Sequence, residues 1–185
     1  MRSESKAQAL HDIVIVTDRL TLRPLRAEDV TTDYLNWFSD PLILQYILAA
    51  LETKTLRQLE SYVREKHAAE DALLLGIFEK GNSRHIGNLK FEPIDWARGQ
   101  AVLGILIGPP DWRGKGVFKE AFKASVEALE REAGIREYWL CVSDSNAAAV
   151  RAYQSAGFLM RPPPPHLFPM VRQGYVYLVW GQPSA

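Results

Sequence analysis

The stretch "AVLGILIGPPDWRGKGVFKEAFKASVEALEREAG", residues 101–134, constrains the fold more than any other. It opens as an apolar run of strand length and crosses a turn with two prolines and two glycines. It then places Phe118, Ala121, Phe122, Ser125, Val126, Leu129 and Ala133 at the i, i+3, i+4 spacing of one helix face. Gly134 stands where a helix-ending glycine belongs. A strand that feeds a long amphipathic helix is a unit of a mixed α/β domain.

The turn itself, Arg113, Gly114, Lys115 and Gly116, is a poor helix start for stability's sake. A glycine-rich turn at this place presents backbone N–H groups at a helix N-terminus, which is an anion site with phosphate as the usual guest. Arg113 and Lys115 would add positive charge. The alternative is an exposed turn with solvated cations, because neither G-x-x-x-x-G-K-[ST] nor G-x-G-x-x-G is present.

The rest of the chain completes a mixed pattern. "RLTLRPL" alternates like a strand, and "RAEDVTTDYLNWF" puts Val30, Tyr34, Leu35 and Phe38 on one helix face. "DPLILQYILAAL" reads as a short helix with Pro41 at its first position. A third helix is predicted over Thr55 to Ala69. Three strands follow, "ALLLGIFEK", "RHIGNLKFEPI" and "AVLGILIG", and after the long helix come strand "IREYWLCV", helix "NAAAVRAYQSA" and strands "FLMR" and "YVYLVWG". This order predicts a single α+β domain over residues 1–185, with residues 1–16 a loosely ordered N-terminal extension.

Composition excludes several function classes. Twenty-two basic and 22 acidic side chains cancel, so the broad positive footprint of a nucleic-acid binder is missing. Cys141 is the single cysteine, which leaves no internal disulfide, and His11, His67, His85 and His166 show no ligand spacing. No metal is expected. No apolar run approaches the roughly 20 residues of a membrane span, and "MRSESKAQALHD" lacks a signal-peptide core. A cytoplasmic location is the default expectation.

Within "VSDSNAAAVRAYQSAGF", Asn146, Ala149, Val150 and Tyr153 share one helix face, so an amide and a phenol could hold two points of one elongated ligand. Alternatively, Asn146 only caps the helix and Tyr153 only packs.

Together these stretches resemble the GNAT superfamily of acetyl-CoA-dependent N-acetyltransferases over about residues 17 to 181. Its phosphate loop, Q/R-x-x-G-x-G/A, is matched by Arg113, Gly114, Lys115, Gly116, Val117 and Phe118. Its "N-x-x-A-x-x-x-Y-x-x-x-G-F" signature is met by Asn146, Ala149, Tyr153, Gly157 and Phe158. The front, "RLTLRPLRAEDV", is similar to the branch holding the ribosomal-protein N-terminal acetyltransferases and many sugar and antibiotic acetyltransferases. Phe118 departs from the pattern, which has Gly or Ala there. Its N–H can still serve, with the ring directed into the core beside Phe122.

The resemblance implies a central, mostly antiparallel seven-stranded sheet, splayed between strands four and five and flanked by helices. Backbone groups of Leu106, Ile107 and Gly108 would pair with the pantetheine arm of acetyl-CoA. Tyr153 would protonate the leaving thiolate, since a phenol holds its proton at neutral pH. For the base, many relatives carry a glutamate near the start of the fourth strand. This chain has "QAVLGI" there, and Glu92 and Asp95 are the nearest carboxylates, with Glu92 the choice. A water relay, or an amine bound already neutral, needs neither. Trp37, Phe38, Tyr46, Trp96, His166 and Phe168 are candidates to line an acceptor pocket closed by the proline-rich loop "RPPPPHLFPMVRQG". Cys141 reads as a strand residue rather than a nucleophile, with no histidine placed to activate it.

The leading expectation is thus acetyl transfer to a primary amine of a protein N-terminus, an amino sugar or another small molecule, by a monomer or homodimer. Neither nucleic acid nor membrane is expected as a partner. A catalytically silent CoA-binding or sensor domain, or a protein-interaction module that keeps only the fold, are the alternatives.

Overall fold

The computed structural model describes residues 3–46 and 55–181. Helix α1 (Ser3–Leu10) leads into strands β1 (Ile15–Val16) and β2 (Leu20–Pro24). Helices α2 (Thr32–Trp37), α3 (Pro41–Tyr46) and α4 (Leu56–Ala68) follow, then β3 (Leu73–Glu79), β4 (His85–Asp95) and β5 (Gln100–Ile107). The long helix α5 (Val117–Ala133) precedes β6 (Glu137–Ser143), α6 (Ala147–Ser155), β7 (Leu159–Met160) and β8 (Tyr175–Gly181). The part of the second expected helix beyond Tyr46 lies outside the described residues.

Among the described residues one sheet holds every strand, in the order β1-β2-β3-β4-β5-β6-β8-β7. Neighbours are antiparallel except β5 and β6, which run parallel. The sheet has eight strands rather than the expected seven, because Ile15 and Val16 pair with Leu22 and Thr21 at its edge. Two residues are too short a run to show alternation in the sequence. Within the segment expected to be a loosely ordered extension, Leu10, Ile13 and Ile15 are buried in the main core cluster.

Two apolar clusters lie on opposite faces. On one, Ala121, Phe122, Val126, Leu129 and Ala133 of α5 pack on Ala101, Leu103, Tyr138 and Leu140, with Ile105 and Ile107 against the same cluster. On the other, Tyr34, Trp37, Phe38, Ile43, Leu59 and Val63 of α2–α4 pack on Leu74 and Phe78, and Leu106 joins them. Side chains of β5 therefore alternate between the faces, odd residues toward α5 and even residues toward α2–α4. Leu129 is fully buried, and truncating such a leucine costs about 2–5 kcal/mol. Gly134 ends α5 at φ 72°, where its N–H donates to the Glu130 and Leu129 carbonyls.

The parallel ladder between β5 and β6 is short. Gln100, Ala101 and Val102 pair with Glu137, Tyr138 and Trp139. Beyond Val102, β5 runs on to Ile107 and β6 to Ser143 without pairing each other, so the two strands fork. This is the splay expected between the fourth and fifth strands, displaced by one in number by the extra edge strand.

Candidate active site

The fork exposes one edge of β5 from Leu103 onward, and the turn that follows closes back against it. Gly114 and Gly116 both adopt left-handed φ, 71° and 74°, which a side chain would resist. Open space surrounds the Cβ position of each. Gly116 is the N-cap of α5 and brings no side chain to its first turn, so the N–H groups of Val117 and Phe118 stand at an uncapped helix head. A positive helix end, two bare glycines and exposed Lys115 fit a phosphate group. The Phe118 ring turns inward, stacked 5.5 Å from Phe122 and edge-on to Tyr153 at 5.0 Å.

Arg113 behaves differently from its expected part. Its guanidinium folds back to donate to the carbonyl of Ile107 at 3.1 Å and to that of Gly108, and it pairs with Asp40 at 2.8 Å. Its charge is matched inside the protein, and those two carbonyls serve the turn rather than waiting for a ligand. Burial opposes ionisation of Asp40, but the Leu42 N–H and the Arg113 guanidinium outweigh it, and the carboxyl lies below its ordinary range. Gly108 meets Trp37, whose ring atoms lie 1.9–2.5 Å from where a Cβ would stand. The helices α2 and α3 are thus clamped onto the end of β5.

Asn146 caps α6 by accepting from the Ala149 N–H at 3.1 Å. Tyr153, two turns along, packs against Phe118 and Phe158 beside the main cluster. Burial pushes its phenol up to about 12, with the Cys141 thiol acting in the same direction, so the proton is held throughout the neutral range. Cys141 lies on β6 beyond the fork, and desolvation raises its own pKa, which keeps it a thiol.

Glu92 is not placed as a free base. Its carboxylate accepts from Lys66 at 2.7 Å and from Lys90 at 2.8 Å. Burial opposes its ionisation, the two lysines overcome that, and its pKa is lowered, which weakens it as a proton acceptor. Asp95 is likewise engaged, by the Arg98 side chain and the Ala97 and Arg98 N–H groups.

The expected acceptor residues divide into three places. Trp37 and Phe38 belong to the cluster under α2–α4, and Tyr46 ends α3, half-buried. Trp96 stands apart, donating to the Glu70 carbonyl beside α1 and the end of α4. His166 and Phe168 come together on a turn whose Leu167 and Phe168 N–H groups donate to the Pro164 carbonyl. From there Phe168 meets Trp139 at 6.4 Å and Tyr177 at 5.0 Å, beside the fork.

Three residues at the fork escaped the sequence reading: Gln100, Glu137 and Trp139. Gln100 donates to the Glu137 carboxylate at 2.7 Å, Trp139 donates to the same oxygen, and His166 bonds the Gln100 carbonyl at 2.7 Å. No group of three or more metal-ligating side chains occurs among the described residues, and no helix there is long and apolar enough to cross a membrane.

A mostly antiparallel sheet forked between two parallel strands, with a glycine turn heading the helix after the fork, is the architecture that the sequence resemblance implied. The family model described as "Acetyltransferase (GNAT) domain" matches residues 19–159, and the chain belongs to that family. No curated protein matches the sequence. Among solved structures, the ribosomal alpha-N-protein acetyltransferase RimL with coenzyme A superposes with TM-score 0.77 at 16% identity, over 91% of this chain and 98% of that one. The microcin C7 self-immunity acetyltransferase MccE, with acetyl-CoA and AMP, gives 0.75 at 15%, over 90% and 94%. A spermidine N-acetyltransferase chimera from Vibrio cholerae and hSSAT gives 0.71 at 18%, over 88% and 95%. At these identities the likeness is one of fold.

Proposed function

We propose that the protein is an acetyl-CoA-dependent N-acetyltransferase that moves an acetyl group to a primary amine, of a protein N-terminus, an amino sugar or another small molecule, by direct attack in a ternary complex. The observation that carries this reading is the fork between β5 and β6, with the left-handed glycine turn at one end and Tyr153 packed edge-on to Phe118 at the head of α5. The backbone N–H groups of Gly114 to Phe118 and the Lys115 side chain would hold the pyrophosphate. The freed edge of β5, from Leu103 to Leu106, would take the pantetheine arm as an added strand. Acetyl-CoA supplies the thioester. Tyr153 would deliver the proton that the departing sulfur needs, and its raised pKa suits a donor.

The relatives that bind acetyl-CoA or coenzyme A support the cosubstrate, and those named for a ribosomal protein or spermidine support an amine acceptor. A catalytically silent CoA-binding domain is the second reading, favoured by the internal pairing of Arg113 and the neutralised Glu92.

A thermal-shift titration with acetyl-CoA, followed by CoA release with a panel of amines, tests both. A ligand that binds only the folded chain raises the melting temperature by mass action. A shift with turnover supports the transferase and a shift without turnover supports the silent domain. No shift at millimolar acetyl-CoA overturns both. Gly116→Asp is the control: its carboxylate would cap α5 and occupy the anion site, so the shift should vanish while the unliganded protein stays folded.

A further inference from the structure

Glu137 is 3% exposed, and among the described residues no cation pairs with it. Its carboxylate is satisfied by two neutral donors, Gln100 Nε2 and Trp139 Nε1, on one oxygen. A buried carboxylate held this way favours a positive charge nearby. The hydrogen bonds show where that charge can arise. Because the Gln100 amide nitrogen is turned toward Glu137, its carbonyl oxygen is what faces His166, and an oxygen can only accept. The 2.7 Å bond therefore comes from His166 Nε2–H. That leaves Nδ1 as the ring position able to take a proton, and Nδ1 has no hydrogen-bond partner among the described residues.

The chain of groups also lies at the right place. Gln100 and Glu137 are register partners at the base of the ladder that ends at Val102 and Trp139, where the strands part. Glu137 and Trp139 lie on the face opposite Tyr138 and Leu140, and Gln100 opposite Ala101, away from α5. His166 is exposed on a turn anchored by buried Leu167, so bulk water reaches its ring and an amine would find it open.

We propose that His166 is the general base of acetyl transfer, with Gln100 and Glu137 as its positioning residues, an assignment that rests on the transferase reading. The amine nitrogen bonds to the thioester carbonyl carbon, and the proton it loses passes to His166 Nδ1. The carbon–sulfur bond breaks, and the sulfur takes a proton from Tyr153. Exposed His166 then returns its proton to water, and Tyr153 is reprotonated from the same source. Glu137 stabilises the transient imidazolium through the Gln100 amide, and Gln100 fixes the tautomer.

The experiment combines nitrogen-15 NMR of the imidazoles with steady-state kinetics on variants of this chain. His166 should appear as the Nε2–H tautomer. His166→Gln should lower kcat/KM by ~10²-fold, with acetyl-CoA affinity within about twofold of wild type. Glu137→Gln keeps an acceptor for both donors but removes the charge, so kcat should fall while the KM for the amine and the Nε2–H tautomer hold. A purely structural role would leave kcat unchanged. An Nδ1–H tautomer, or a His166→Gln rate within threefold of wild type, overturns the assignment and leaves the transferase reading standing. A wild-type protein that turns over no amine overturns the transferase reading, and this assignment with it.

Discussion

The Arg113 guanidinium stands 2.8 Å from the Asp40 carboxylate and reaches the Ile107 and Gly108 carbonyls as well, so one side chain joins the glycine turn, the end of β5 and the α2–α3 junction. The cation that heads the phosphate-loop pattern acts here as a strut. Both partners are about a quarter exposed, 24% and 23%, which limits solvent screening without removing it.

The strut has a measurable strength. Arg113→Ala should lower unfolding stability by about 1–3 kcal/mol, because two carbonyls and a carboxylate lose charge-assisted donors. Lysine at the same position should recover less than half, since one ammonium cannot serve three acceptors in fixed geometry. A double-mutant cycle with Asp40→Asn, run without ligand, should give a coupling of about 1 kcal/mol. A coupling of zero would mean that Asp40 does not hold the guanidinium in solution.

Gly108 and Trp37 provide a test of how tightly α2 and α3 sit on β5. A Cβ at position 108 would fall within 1.9–2.5 Å of the indole, so Gly108→Ala must displace the ring. The expected cost is about 1–3 kcal/mol of overpacking. Trp37→Leu vacates that space, and the double mutant should be more stable than the two single losses added together. Simple additivity in denaturant unfolding would show that the ring is not held over the glycine.

What the sequence revealed divides along a physical line. The burial of Ala121, Phe122, Val126 and Leu129 was readable because a 17-residue helix repeats its period several times. The fork followed from the resemblance, and Asn146 kept the capping role that its side chain dictates locally. Helix α1 was not readable. Its segment, "SESKAQAL", is polar, and what orders it is the docking of Leu10 beside α5, a tertiary contact that propensity does not encode. The same limit hid the partners of Arg113 and Glu92, which come from distant elements. Gln100 and Glu137 look like ordinary strand-end polar residues until the register sets them side by side.

Glu92 should behave as a structural carboxylate. It sits between Lys66 and Lys90, with side-chain exposures of 22% for Glu92 and 14% for Lys66. Its folded-state pKa is depressed, so its contribution is complete above the unfolded value of about 4.3 and fades as pH falls through the lower folded value. Glu92→Gln should cost about 1 kcal/mol at neutral pH and flatten the stability curve below pH 4.3 or so. Turnover at saturating acetyl-CoA should stay within threefold of wild type. A hundredfold loss of turnover with stability intact would return Glu92 to the chemistry.

Tyr153→Phe separates proton delivery from packing. The ring lies edge-on to Phe118 at 5.0 Å and 5.9 Å from Phe158, and phenylalanine preserves both contacts, so stability should hold. If the phenol supplies the proton, the loss is confined to the transition state. Turnover should then fall by ~10²-fold or more while acetyl-CoA affinity is unchanged. With the wild-type phenol pushed up to about 12, no basic limb from Tyr153 should intrude on the rate below about pH 10. A smaller loss would mean that water donates the proton. A weakened affinity with normal turnover at saturation would make Tyr153 a binding residue instead. A steady-state series and a direct titration on the same preparation distinguish these outcomes, and no change in either would remove Tyr153 from the site.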